Sequence, residues 1–125
     1  MMGFLQPDGQ IEFEHAVLNH FCSKCAQGAV LSEHLKRSTC ERELTGVGFC
    51  LSFSVEPEVR RLPTRRPFEG ASFESDQIPG GGTLLLWVDD QGLLESLECA
   101  CFADPWPQDY VSLRSIASDK QNLVN

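Results

Sequence analysis

Val47-Gly48-Phe49-Cys50-Leu51-Ser52-Phe53-Ser54-Val55 alternates large apolar residues with small or polar ones throughout its length. Successive side chains of an extended chain point to opposite faces, so this period of two predicts a strand with one buried face. Val47, Phe49, Leu51, Phe53 and Val55 are all expected on that face. Just upstream, Cys40 to Thr45 read either as the earlier part of one long strand or as a separate strand.

Further upstream the period lengthens. Residues 11–25 place Phe13, Val17 and Phe21 at i, i+4 and i+8, with Ala16 and Leu18 beside them, as in an amphipathic helix. Asp8 or Gly9 is placed to cap it, Glu12 and Glu14 suit its positive end, and Gly28 is expected to end it. A second short helix is expected from Ala29 to about Arg37, with Val30, Leu31 and Leu35 turned inward.

Downstream, Glu56 to Pro67 holds three prolines and four arginines and reads as an exposed loop. Phe68 to Ile78 has room for a short strand. Pro79-Gly80-Gly81-Gly82 reads as a flexible connection, and Thr83 to Asp89 as a buried strand. Asp89-Asp90-Gln91-Gly92 is a hairpin turn. On the return strand Leu93, Leu97, Cys99 and Cys101 are placed on one face, interrupted by Glu95, and strict alternation sets Glu95 and Glu98 on opposite sides. Asp104-Pro105-Trp106-Pro107 ends the sheet, and a last short helix is expected from Asp109 to about Ala117. The fold class is therefore α+β, with N-terminal helices packed on one face of a four- to five-stranded antiparallel sheet. Residues 1–125 are expected to form a single domain.

Charge is unevenly placed along the chain. The net charge is −8. Residues 1–66 hold eight acids and eight Lys or Arg, whereas residues 67–125 hold ten acids but only Arg114 and Lys120 as cations. Between Pro67 and Leu113 there are nine acids and no Lys, Arg or His. Such a segment repels nucleic acid and anionic membranes and attracts a basic partner. No apolar stretch approaches the roughly 20 residues that cross a bilayer. Met1 to Gln10 lacks a basic n-region and an apolar h-region, so export is not expected and a cytoplasmic setting is. The six cysteines are then expected as free thiols, several of them inside strands.

Residue spacing bears on four kinds of chemistry. His20-x-Cys22-x-x-Cys25 has ligand-like spacing, with His15, His34 and Cys40 near it in sequence. Zinc nonetheless needs four ligands, no second C-x-x-C exists, and the Cys99-x-Cys101 pattern is shared with core strands. A redox C-x-x-C gains its low thiol pKa at a helix N-terminus, and this pair falls at a helix C-terminus. Nucleophilic catalysis needs a serine or cysteine, a histidine and a carboxylate brought together, and no G-x-S-x-G elbow is present. Gly80-Gly81-Gly82 lacks the Lys-Ser/Thr of a phosphate loop. Arg60, Arg61, Arg65 and Arg66 form a basic loop, but the acidic remainder opposes nucleic-acid binding. The expectation is no enzyme, no metal and no cofactor.

Three segments carry a resemblance. Arg42-Glu43-Leu44-Thr45-Gly46-Val47-Gly48-Phe49, the glycine-rich approach to an apolar strand, and Leu93-Leu94-Glu95-Ser96-Leu97-Glu98 followed by Asp104-Pro105-Trp106-Pro107 resemble a group of small bacterial proteins. That group looks like the immunity proteins found beside polymorphic toxins, including those of contact-dependent growth inhibition. The resemblance spans roughly residues 11–107, and its motifs look structural. It implies a cytosolic inhibitor, a monomer within a heterodimeric complex, that occludes the active site of a cognate toxin domain. Such toxins are often nucleases with basic clefts, which an acidic partner would suit. The expected contact residues are Glu69, Glu74, Asp76, Asp89, Asp90, Glu98, Asp104 and Asp109, with Glu95 also considered and Trp106 and Tyr110 as aromatic anchors. The alternatives are a small cysteine-rich metal-binding or redox protein, or a non-catalytic scaffold subunit.

Overall fold

The computed structural model describes residues 6–119. The first five residues of the Met1–Gln10 stretch, on which the export expectation rests, lie outside them, as does Lys120. Two helices come first, α1 (Gln10–Lys24) and α2 (Gly28–Lys36). Phe13, Val17 and Phe21 of α1 are buried as their spacing predicts, and Leu31 is the buried apolar residue of α2. Val30 and Leu35 pack partly buried against the same core. Gly28 starts α2. A Cβ there would lie 1.9 Å from the Cys22 carbonyl oxygen, so only glycine lets the two helices meet so closely.

Six strands follow: β1 (Ser38–Leu44), β2 (Gly48–Val55), β3 (Glu69–Ser75), β4 (Ile78–Val88), β5 (Leu94–Cys101) and β6 (Ser115–Ser118). They form one sheet in the order β1-β2-β5-β4-β3-β6, and every pairing is antiparallel. The α+β class and the antiparallel sheet are as expected. The strand number is six instead of four or five, for two reasons.

First, Cys40 to Thr45 contributes a strand of its own. Thr45 N–H donates to Gly48 O at 3.0 Å, closing a tight turn between β1 and β2. Val47 sits in that turn and is 50% exposed, so it does not face the core. Phe49 and Leu51 are buried, and Phe53 and Val55 are half-buried.

Second, the helix expected over Asp109 to Ala117 is not formed. Ser112, Ser115 and Ser118 are weak helix formers, and Val111 and Ile116 are β-branched. Gln77 Oε1 accepts from both Ser112 N–H and Ser112 Oγ at 2.9 Å, and Arg114 N–H donates to Glu74 O at 2.8 Å. The segment is thereby drawn alongside β3.

Two further differences come from β-bulges. Pro79 to Gly82 lies inside β4, where the register against β3 shifts between Phe73 and Ser75. In the β4–β5 pair, Val88 faces Leu94 while Trp87 faces Ser96, so Glu95 is an extra residue in the ladder. The bulge turns Leu94 and Leu97 both inward, and Leu94 replaces Leu93 in the core. It also places Glu95 and Glu98 on the same side of the sheet, against the alternation expected for them. The Asp89–Gly92 turn forms as read: Asp89 Oδ1 accepts from Gln91 and Leu93 N–H at 2.9 Å, and Gly92 takes φ +84°.

Both helices pack on one face of the sheet. Phe13 of α1 meets Phe49, Phe73 and Trp106 edge to face, with ring centroids 5.3–6.1 Å apart. Trp106 is 5% exposed and belongs to this core. Among the described residues the opposite face of the sheet carries no helix.

A candidate partner-binding surface

The acids singled out by composition turn out to have different occupations. Glu69 pairs with Arg65 at 2.7 Å and also accepts from the Cys25 thiol. Glu74 and Asp76 share Arg114 at 3.3 and 3.4 Å. Ser115 and then Arg114 hold the Glu74 carboxyl below its ordinary value. Glu95 pairs with Arg66 at 3.2 Å. Asp89 closes the β4–β5 turn, and Asp104 accepts from Gly80 N–H at 2.8 Å. Asp90 and Asp109 are exposed, as is Tyr110, whose backbone bridges to Asp8. Trp106 cannot serve as a surface anchor: it packs in the core and donates its indole N–H to Gln10 Oε1 at 2.9 Å. The ten expected contact residues do not converge on one patch.

The helix-free face of the sheet brings a different set together. Residues opposite one another in an antiparallel ladder share a face. Glu43, Cys50, Glu98 and Leu85 therefore form one row across β1, β2, β5 and β4, and Glu41, Ser52, Ser96 and Trp87 form the next. Glu41, Glu43 and Glu98 are exposed, and none of them takes part in an ion pair among the described residues. Leu85 and Trp87 are half-buried beside them. Trp87 donates its indole N–H to Glu98 at 3.0 Å, and Arg66 stacks over its ring. Glu43 and Glu98 flank Cys50; burial first, and then these carboxylates, raise its thiol pKa.

Arg42 stands between Glu41 and Glu43 in sequence but on the opposite face of β1. There its guanidinium grips both oxygens of the buried Glu14, Nη2 to Oε1 at 2.7 Å and Nε to Oε2. Gln10 Nε2 donates to the same carboxylate at 2.6 Å, which links the ion pair to Trp106. The pair borders a groove of about 600 Å³ between α1 and the β1–β2 edge, with Ile11, Leu18, Leu35, Leu51 and Phe53 among its walls.

Other chemistry finds less geometry. Among the described residues no three His, Cys, Asp or Glu side chains converge as metal ligands. All six thiols are raised above their ordinary value, with burial the first cause for each. His20 Nε2 lies 2.9 Å from Ser118 Oγ, a contact that spacing did not reveal. It ties α1 to β6, and burial lowers the His20 pKa. No cavity described above opens onto this pair. His34 is fully buried, between Arg60 O at 2.6 Å and Leu94 N–H at 3.2 Å.

No family model, curated protein or solved structure matches this chain. No helix of the described residues is long and apolar enough to cross a membrane.

Proposed function

We propose that this chain is a binding protein of the immunity type, which neutralises a basic toxin domain by covering its active site. The observation that carries the reading is the open sheet face. Glu41, Glu43 and Glu98 stand there beside Trp87 and Leu85, and no ion pair among the described residues engages them. An acidic, partly aromatic platform offers steering charge at its rim and apolar area near its centre. It repels phosphate, so neither nucleic acid nor an anionic membrane is its partner. The resemblance of Arg42–Phe49 and of Leu93–Glu98 to immunity proteins supports the same reading. No catalytic role is proposed, and the raised thiols oppose a redox one.

The test is co-expression with the product of the gene immediately upstream, where this reading expects a toxic domain. Cells carrying this protein should survive, and a Glu41→Lys, Glu43→Lys, Glu98→Lys variant should fail to protect them. Death of cells that express the intact protein would overturn the immunity reading.

A further inference from the structure

β1 is an edge of the sheet, paired among the described residues only with β2. Its ladder is regular, with Arg37 O accepting from Glu56 N–H at one end and Thr45 N–H donating to Gly48 O at the other. In an antiparallel pair the backbone groups of alternate residues face the partner strand. Thr39, Glu41 and Glu43 share the parity of Arg37 and Thr45 and face β2. The backbone N–H and C=O of Cys40, Arg42 and Leu44 are therefore turned outward, off the edge.

The two sides of this edge differ. On the helix side the apolar groove of Ile11, Leu18, Leu35 and Phe53 opens beside Cys40 and Arg42. On the other side stand Glu41 and Glu43. We propose that β1 takes an added antiparallel or parallel strand from the partner, an extended segment whose residues alternate between basic and apolar. Its apolar side chains fill the groove and its basic ones meet Glu41 and Glu43, while its main chain bonds to residues 40, 42 and 44. A second copy of this chain is a poor occupant. Antiparallel self-pairing about Glu41 would set that carboxylate against its own copy, and like charges directly opposite are destabilising. The proposal rests on the protein-binding reading and names the segment that reading requires.

The probe is a capped seven-residue peptide alternating Lys and Val, titrated into the full chain with amide hydrogen exchange as the readout. Exchange at Cys40, Arg42 and Leu44 should slow by about tenfold or more, as it does for amides that gain a ladder bond. Cys40→Pro removes an outward N–H and no ladder bond, so it should weaken peptide binding while the fold is retained. Glu41→Lys with Glu43→Lys, both exposed, should do the same and serves if Cys40→Pro misfolds. A peptide of equal composition with its lysines and valines in separate blocks should bind more weakly. Equal binding of the block peptide, absence of binding, or binding without protection at residues 40, 42 and 44 would each overturn strand addition. So would a dimer of this chain formed through β1. If Glu98→Lys abolishes protection from the toxin while these exchange tests fail, the immunity reading stands and the strand-addition proposal falls.

Discussion

His34 shows how one buried side chain can hold three segments of the fold. A carbonyl only accepts and an amide N–H only donates, so contacts with Arg60 O and Leu94 N–H fix the ring proton on Nε2. The ring joins α2 to the arginine loop and to the start of β5. His34→Ala strands both backbone groups and leaves a cavity, and should cost about 3 kcal/mol in chemical denaturation. Nitrogen chemical shifts of the intact ring should report the Nε2–H tautomer. Cys99 gives a second test at this scale. Burial raises its thiol pKa far above the ordinary 9.0. The unfolded chain then ionises first. The stabilisation is complete below pH 9 and is lost as pH rises from there toward the folded value, at up to about 1.4 kcal/mol per pH unit. The alkaline fall in stability should be shallower for Cys99→Ala than for the unaltered chain. Parallel curves for the two would show that this thiol is not desolvated.

Strand β2 tests how far a period of two can be trusted. Phe49 and Val47 share a parity, yet Phe49 is buried while Val47 lies in the β1–β2 turn. Phe49→Ala should cost about 3–5 kcal/mol, and Val47→Ala should stay within about 0.5 kcal/mol. Equal losses would contradict the placement of the turn. The rest of the fold was legible to the extent that each element was locally self-consistent. The Phe13, Val17, Phe21 stripe gave α1, and Asp89 to Gly92 gave the hairpin. The Leu94, Leu97 spacing breaks strand periodicity and becomes intelligible only once Glu95 is seen as a bulge against β4. β6 was illegible because its pairing depends on Gln77 and Glu74, roughly 40 residues upstream. The candidate surface was harder still. Composition showed that the second half is acidic, but Arg66 and Arg114 reach Glu95, Glu74 and Asp76 from distant positions. Glu41 and Glu43 were hidden in a neutral half because Arg42, which balances them in sequence, points through the sheet to Glu14.

Across the whole molecule two groups of glutamates stand apart, those paired within the fold and those of the open face, and charge reversal should distinguish them. Glu69 and Glu74 are paired within the fold. Reversing either sets a lysine beside an arginine, a repulsion that solvent and salt screen at such positions. Each reversal adds two positive charges whether or not the acid was paired, so long-range steering weakens at all five positions; the loss should be smaller at Glu69 and Glu74, whose carboxylates are already engaged by Arg65 and Arg114. Among the described residues Glu41, Glu43 and Glu98 have no such partner. Glu43 and Glu98 stand on strands either side of β2, about 9–10 Å apart by strand spacing. Repulsion across that gap slightly disfavours the folded state, and among the described residues only Glu98 of the three makes a side-chain hydrogen bond, to half-buried Trp87. Reversing one of the three should therefore leave stability within about 0.5 kcal/mol. Its effect belongs to the bound state: association with a basic domain should slow, and the dependence of its rate on salt should flatten, as expected for steering charges. The measurement pairs thermal melts with stopped-flow association at two ionic strengths for each single variant. If Glu69→Lys slows association more than Glu41→Lys, Glu43→Lys and Glu98→Lys do, the partner meets the helix side of the molecule, where Glu69 accepts from Cys25. If the open-face variants lose stability and keep their rates, those carboxylates serve the fold and the binding surface lies elsewhere.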